Sequence, residues 1–354
     1  GNNMKTKLIL IFLLISLLLM SFSASAQQGL TLQDLLPEPN KVPSWIKPGL
    51  VVVYKFQGGS GNQTSAGTGQ GYQIYVITNI ENNMAYGIGF DIFIAAGYPS
   101  YSSSIKPLKG VVYLDPKEVQ DEVRKAQAAG FPQGMRQETG TAGNNLYYYL
   151  LESSDNQSMT RYFFVYDKNG LIQQVRILEK YGDGSSTVIN ADLLGVYQTS
   201  LPSINTMPPA VKASPSYQIY SSVSLFGGTT SLSNPTPFGT ISYSLAQSTG
   251  SILTFSSQMN TSYGSGASKS YGNQYVGPFY IHPQLLKTNS ILNIPQIGFS
   301  WTVAGRGQYG GILTQVQFSG SPIAQFEYDP NSGLLISCNF PTGGGMYFIV
   351  VLSR

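Results

Sequence analysis

Glu327 and Asp329 are the only acids beyond residue 200, and they stand two positions apart. On a strand, i and i+2 share a face with Cα atoms roughly 6.5–7 Å apart. That spacing would suit the paired carboxylates of glycoside hydrolysis, which needs no other residue type. Asp329, however, is the second residue of "YDPNSG", which repeats the "YDKNG" of residues 166–170. There Asp167 occupies the same place, and turn formation alone explains both aspartates. His282 is the one histidine and Cys338 the one cysteine. Metal sites built on several His or Cys, Ser-His-Asp and Cys-His catalysis and an intrachain disulfide therefore have too few residues to be assembled. Glu152, Asp155, Glu179, Asp183 and Asp192 make an acidic group in the first half, but their spacing matches no calcium loop. The glycine-rich "GGSGNQTSAGTGQGY" lacks the following helix that would cradle a phosphate, and reads as a surface loop. No catalytic residue, metal ligand or cofactor is assigned, and the balance leans away from an enzyme.

A second kind of chemistry is open to this composition. Charged residues make up 10% of the chain and formal net charge is +3, while tyrosine reaches 24. With no basic patch to follow phosphates, nucleic acid is excluded as a partner class. Recognition must then use aromatic faces and neutral hydrogen bonds. The segment "NTSYGSGASKSYGNQYVGPFY", residues 260–280, interleaves tyrosines with Gly and Ser. This is the composition of adaptable recognition loops. Tyr263, Tyr271 and Tyr275 are the candidate binding residues, whereas Tyr280 belongs to a structural landmark.

The elements that must carry these residues are written twice. In both "RYFFVYDKNGLIQQVRI" and "AQFEYDPNSGLLISCNF", apolar runs flank a polar Asn/Gly segment, the signature of a hairpin with Gly170 and Gly333 as turn glycines. Upstream, "GVVYLDP" ends at Pro116 and "GPFYIHP" at Pro283, 50 and 45 residues before Tyr166 and Tyr328. Two landmarks in the same order imply an internal duplication. Asp115 and His282 fall at the same place, just before Pro116 and Pro283, and both suit a turn or helix cap. A helix is predicted from Asp115 as N-cap and Pro116 at N1, with Glu118 in a capping box and Gly130 ending it. Its counterpart, "HPQLLKT", is shorter.

The chain divides accordingly. Residues 1–26 read as a secretory signal, with Lys5 and Lys7 before an apolar core and cleavage after Ala26. A leader follows at 27–44, a first β-rich domain at 45–199, a proline-rich linker at 200–215 and a second β-rich domain at 216–354. The fold class expected is mainly β (α+β): two tandem, duplicated antiparallel sheets, each a half-barrel or sandwich-like sheet with one short helix. Sequons at Asn62, Asn156 and Asn260 permit glycosylation without indicating it. These features predict a protein that is secreted, periplasmic or at the cell surface. It would bind an envelope or extracellular ligand, a glycan or a lipid, without catalysis. The alternatives are a structural subunit self-associating through sheet edges and a glycan-active hydrolase.

Overall fold

The structure is a computed structural model and describes residues 41–61, 66–154, 157–223 and 234–354. The signal, nearly all of the leader, Asp155 and the sequons at Asn62 and Asn156 lie outside them. Among the described residues no helix is long and apolar enough to cross a membrane.

The first half contributes β1 (Leu50–Gly61), β2 (Ala66–Glu81), β3 (Met84–Ala95), β4 (Tyr98–Pro107), α1 (Pro116–Ala129), β5 (Met135–Ala142), β6 (Asn145–Ser153), β7 (Met159–Tyr166), β8 (Ile172–Lys180) and β9 (Ser186–Gln198). The second contributes β10 (Ser216–Val223), β11 (Thr236–Thr249), β12 (Ile252–Thr261), β13 (Gly264–Gly272), β14 (Val276–Gly277), β15 (Tyr280–Ile281), β16 (Ser290–Ile294), β17 (Phe299–Arg306), β18 (Ile312–Phe318), β19 (Ser321–Tyr328), β20 (Leu335–Gly343) and β21 (Met346–Leu352). The chain is thus nearly all β.

Pairing is antiparallel throughout the named strands. The first sheet runs β5-β6-β7-β8-β9-β1-β2-β3-β4. The second runs β16-β17-β18-β19-β20-β21-β10-β11-β12-β13. The two orders coincide apart from β16. β4 touches β13 through Tyr271 and Ile105, and β20 through Thr342 and Ser100. These contacts close a ring of seven strands: β4, β13, β12, β11, β10, β21 and β20.

Both predicted hairpins form, and they are held alike. Gly170 has φ +90° and Gly333 φ +79°, values that only glycine adopts cheaply. The Gly170 carbonyl accepts from Leu114 N–H and the Gly333 carbonyl from Ile281 N–H, each at 2.9 Å. Two residues on, Ile172 N–H donates to Val112 O and Leu335 N–H to Phe279 O. Buried Tyr54 donates its hydroxyl to Ile172 O and buried Tyr217 to Leu335 O, both at 2.8 Å. Asp115 caps α1 by accepting from Lys117 N–H, with Pro116 at N1. His282 caps the short 3₁₀ turn Pro283–Lys287 by accepting from Gln284 N–H at Nδ1.

Several expectations need correction. Glu118 does not close a capping box; its carboxylate takes Lys109 Nζ at 2.6 Å in a buried ion pair. The glycine-rich "loop" is largely strand, because Gly58–Gly61 and Ala66–Tyr72 continue the β1–β2 ladder. The tyrosine-rich "loop" is also strand over Gly264–Gly272, every residue pairing with β12. Pairing with a neighbour overrides the poor strand propensity of Gly and Ser.

The proline-rich segment is a packed strap. Ile204, Ala210 and Val211 are buried in the core, Ala210 N–H donates to Ser332 O, and Pro202 O accepts from Tyr275. That core crosses the boundary between halves. Along β1, Val52, Tyr54 and Phe56 face α1 and the first sheet's own concavity, while Val51 and Val53 face a cluster shared with the second half. Phe90 packs on Phe299 with centroids 4.9 Å apart, and Tyr101 on Phe326 at 6.1 Å. Polar contacts cross with them. The Glu81 carboxylate accepts from Ser251 N–H, and fully buried Asn273 donates to Thr78 and Asn79.

Candidate functional site

The seven-strand ring has two different ends. At one, the strap and the segment carrying Phe279 and Tyr280 pack over Tyr217, Tyr243 and Phe255, and Tyr243 N–H donates to Pro215 O. At the other lie the C-termini of β10, β12 and β20 and the N-termini of β11, β13 and β21. Phe340 and Phe348 sit there, two residues along from buried Cys338 and Val350. They therefore share those residues' inward face. Phe238 occupies a β-bulge where β10–β11 register shifts, a device that re-aims a side chain.

The rings form a row. Phe340 meets Phe348 edge-on at 6.0 Å, Phe348 meets Phe238 at 4.8 Å, and Phe238 meets Tyr263 at 6.0 Å. The three phenylalanines are half-buried, and Tyr263 on the β12–β13 turn is 86% exposed. Beside them, a Cβ added to Gly264 or Gly266 would meet no atom within 4 Å. Among the described residues, those beside the rings at this end include Met259, Thr261, Ser221, Thr342 and Met346, all uncharged. An aromatic lining of this kind suits burial of an apolar group.

The three predicted tyrosines do not converge. Tyr263 belongs to the aromatic row. Tyr271, 37% exposed, lies on the opposite, outward face of β13 against Tyr86 at 6.3 Å. Tyr275 is only 7% exposed. Its hydroxyl fastens the strap through Pro202 O at 2.8 Å and its N–H donates to Asn273, so it has no free face to offer.

The candidate acids are used separately as well. Glu327 is buried and accepts from the N–H groups of Tyr309 and Gly311, tying down the β17–β18 turn. Asp329 accepts from the hydroxyl and N–H of Ser332, which hold its carboxyl below the usual range. Asp167 accepts from Asn169 and Leu171 N–H in the equivalent turn. In the first half, Asp192 pairs with Arg176 and Asp183 closes its own turn on Ser185. Burial pushes the Cys338 thiol up to about 12, which leaves it inert at neutral pH. His282 is buried, its Nδ1 accepting from Gln284 and its Nε2 facing Thr206 Oγ1 at 3.1 Å. The accepting Nδ1 places the proton on Nε2.

Phe238, Phe340 and Phe348 were not among the binding residues expected from the sequence. A signal existed: the turn glycines Gly343, Gly344 and Gly345 set a hairpin in which Phe340 and Phe348 must oppose each other. The bulge that brings Phe238 beside them left no mark in sequence.

No protein-family model matches this chain, and no curated protein matches it. Among solved structures it is similar to MucB in complex with MucA(peri), at 9% identity and TM-score 0.21, over 63% of this chain and 88% of that one. It is also similar to a DUF3598-family protein of unknown function from Nostoc punctiforme PCC 73102, at 10% identity and TM-score 0.14, over 85% of this chain and 95% of that one. A third similarity is to an AttH candidate from Nitrosomonas europaea, at 8% identity and TM-score 0.16, over 85% and 92%. At these scores the likenesses carry no functional inference.

Proposed function

We propose that this chain is a non-enzymatic binding protein of the envelope or extracellular space that holds an uncharged apolar group, such as a lipid acyl chain, at the aromatic end of its seven-strand barrel. The carrying observation is the half-exposed row Phe340–Phe348–Phe238–Tyr263, beside which the described residues Met259, Thr261, Ser221, Thr342 and Met346 are uncharged. A glycan fits this lining poorly, since its hydroxyls would lose water without fixed partners. The export signal in the sequence supports the location. Coincident strand order and matched hydrogen bonds at Gly170 and Gly333 support reading the halves, 45–199 and 216–354, as two copies of one unit, the second having kept its barrel end for ligand.

Binding of N-phenyl-1-naphthylamine, a neutral apolar fluorophore, tests this function. The parent protein is expected to enhance its fluorescence saturably. Replacing Phe238 and Phe348 by Ser removes two ring contacts of about 1 kcal/mol each, so affinity is expected to fall at least tenfold. Unchanged affinity in a folded double variant overturns the assignment.

A further inference from the structure

We propose that the outward face of strands β5 to β9 docks an extended, acidic peptide segment of a partner protein, held by Arg161 and by the rings of Tyr149 and Phe163. Tyr148, Leu150, Phe164 and Ala191 point into the first half's core, so their neighbours along each strand point away from it. On that outer face the register sets Glu138, Tyr149, Phe163, Arg176 and Asn190 in one cross-strand row. The adjacent row reads Arg136, Leu151, Arg161, Leu178 and Val188. Tyr147 stacks on Phe163 with centroids 5.6 Å apart. Tyr147, Tyr149, Leu151, Phe163 and Leu178 are half-buried, Val188 is exposed, and none of them belongs to either hydrophobic core. Three of the chain's six arginines meet here, each from a different strand, so no basic run marks the patch in sequence. Rings and arginines beside a contiguous apolar patch are the composition of protein contact surfaces. The corresponding row of the second sheet, on β17 to β21, is Thr302, Gln315, Gln325, Asn339 and Ile349. It carries neither ring nor charge, so the sheet itself does not require them.

The charges on this face select the partner. Glu138 is already paired with Arg136 at 3.0 Å and accepts the Tyr147 hydroxyl, and Asp192 is paired with Arg176 at 2.8 Å. Arg161 stands exposed between Leu151 and Leu178, and among the described residues no acid lies within ion-pair distance of it. Lys55 and Lys180, at the margins, are likewise exposed without an acid partner there. The face thus keeps an excess of positive charge centred on Arg161, whose planar guanidinium takes a carboxylate through two parallel hydrogen bonds. These spare cations fall short of the roughly four to eight that make a membrane-binding cluster. A carboxylate on Arg161 with apolar side chains over Phe163, Tyr149 and Leu178 satisfies both the charge and the rings. Strands β5 and β9 stand about 19 Å apart across the sheet, a width that about six extended residues span. A contact of that size is small, so binding is reversible, with Kd about 10–100 µM. The ligand site at the barrel end lies in the second half and shares no residue with this face.

Fluorescence anisotropy of a rhodamine-labelled Glu-Leu-Glu-Leu-Glu-Leu peptide titrated with the full chain tests the surface. Wild type is expected to bind it saturably and to ignore the Lys-Leu counterpart. Arg161→Glu, a change at an exposed position, is expected to weaken Glu-Leu binding at least tenfold and to gain binding of the Lys-Leu peptide. Phe163→Gln, which copies the second sheet, is expected to weaken it severalfold. Gln325→Glu, at the counterpart of Phe163, is expected to change nothing. A variant with both Phe238→Ser and Phe348→Ser is also expected to bind the peptide normally, which separates this surface from the barrel end. No saturable binding up to a peptide-saturating excess of protein, or wild-type affinity in Arg161→Glu, would overturn the proposal. So would binding of phosphatidylglycerol vesicles in place of the peptide, which would make the face a membrane contact.

Discussion

His282 and Asp115 show one task done by two chemistries, each accepting the second backbone N–H of the turn it caps. Burial lowers the His282 pKa, so the folded state holds a neutral ring while the unfolded state takes up a proton below about pH 6.5. The unfolded state therefore binds more protons in that window, and stability falls as pH drops from about 6.5 toward the lowered folded value. Urea unfolding at a series of pH values should show this slope in the parent and lose it in His282→Asn, which keeps a capping oxygen. An identical slope in the variant assigns the effect to other groups. His282→Ala and Cys338→Ser should leave ligand binding intact, since neither touches the aromatic row. Tyr275→Phe should lower thermal stability by loosening the strap, whereas Tyr263→Ala should leave it unchanged; equal effects would contradict their placement. Caps and turn glycines were legible because backbone geometry admits so few residue types there. The burial of Tyr275 was not, because a strap some 70 residues away decides it.

Hairpins written with Asp, Asn and Gly were the most legible elements, and α1 announced itself through Asp115, Pro116 and Gly130. Strands β4 and β13 carry no such mark. "YPSYSSSIKP" and "GSGASKSYG" carry Ser and Gly, whose strand character comes only from the neighbours they pair with. In β1, by contrast, "VVVYKF" is apolar on both faces, and the sheet proves buried on both. The two turn glycines yield a paired prediction. A Cβ at Gly170 would run into Leu114 O and one at Gly333 into Ile281 O, and both have positive φ. Gly170→Ala and Gly333→Ala should each cost more than about 1 kcal/mol by urea unfolding. A neutral outcome at either site would show that the two turns are not equivalent.

The core shared between the halves predicts that they unfold together. Trp45 donates to Asn169 O in the first half, and buried Trp301 donates to Thr314 in the second, so each of the two tryptophans reports one half. Fluorescence of Trp45→Phe and Trp301→Phe should give coincident urea midpoints, after allowing for each variant's own stability by circular dichroism. Two separated transitions would mean independent domains. Superposition of 45–199 on 216–354 in an experimental structure should bring Pro116 onto Pro283 and Gly170 onto Gly333; placement on unrelated elements would end the duplication reading. For the whole molecule, the decisive question is where an apolar ligand sits. A crystal grown with 10-bromodecanol, an uncharged chain with an anomalous scatterer at one end, should place the bromine or the adjoining chain against Phe238, Phe340 and Phe348. A saturating soak with the chain bound elsewhere, or not bound at all, would contradict a ligand site at the aromatic end of the barrel.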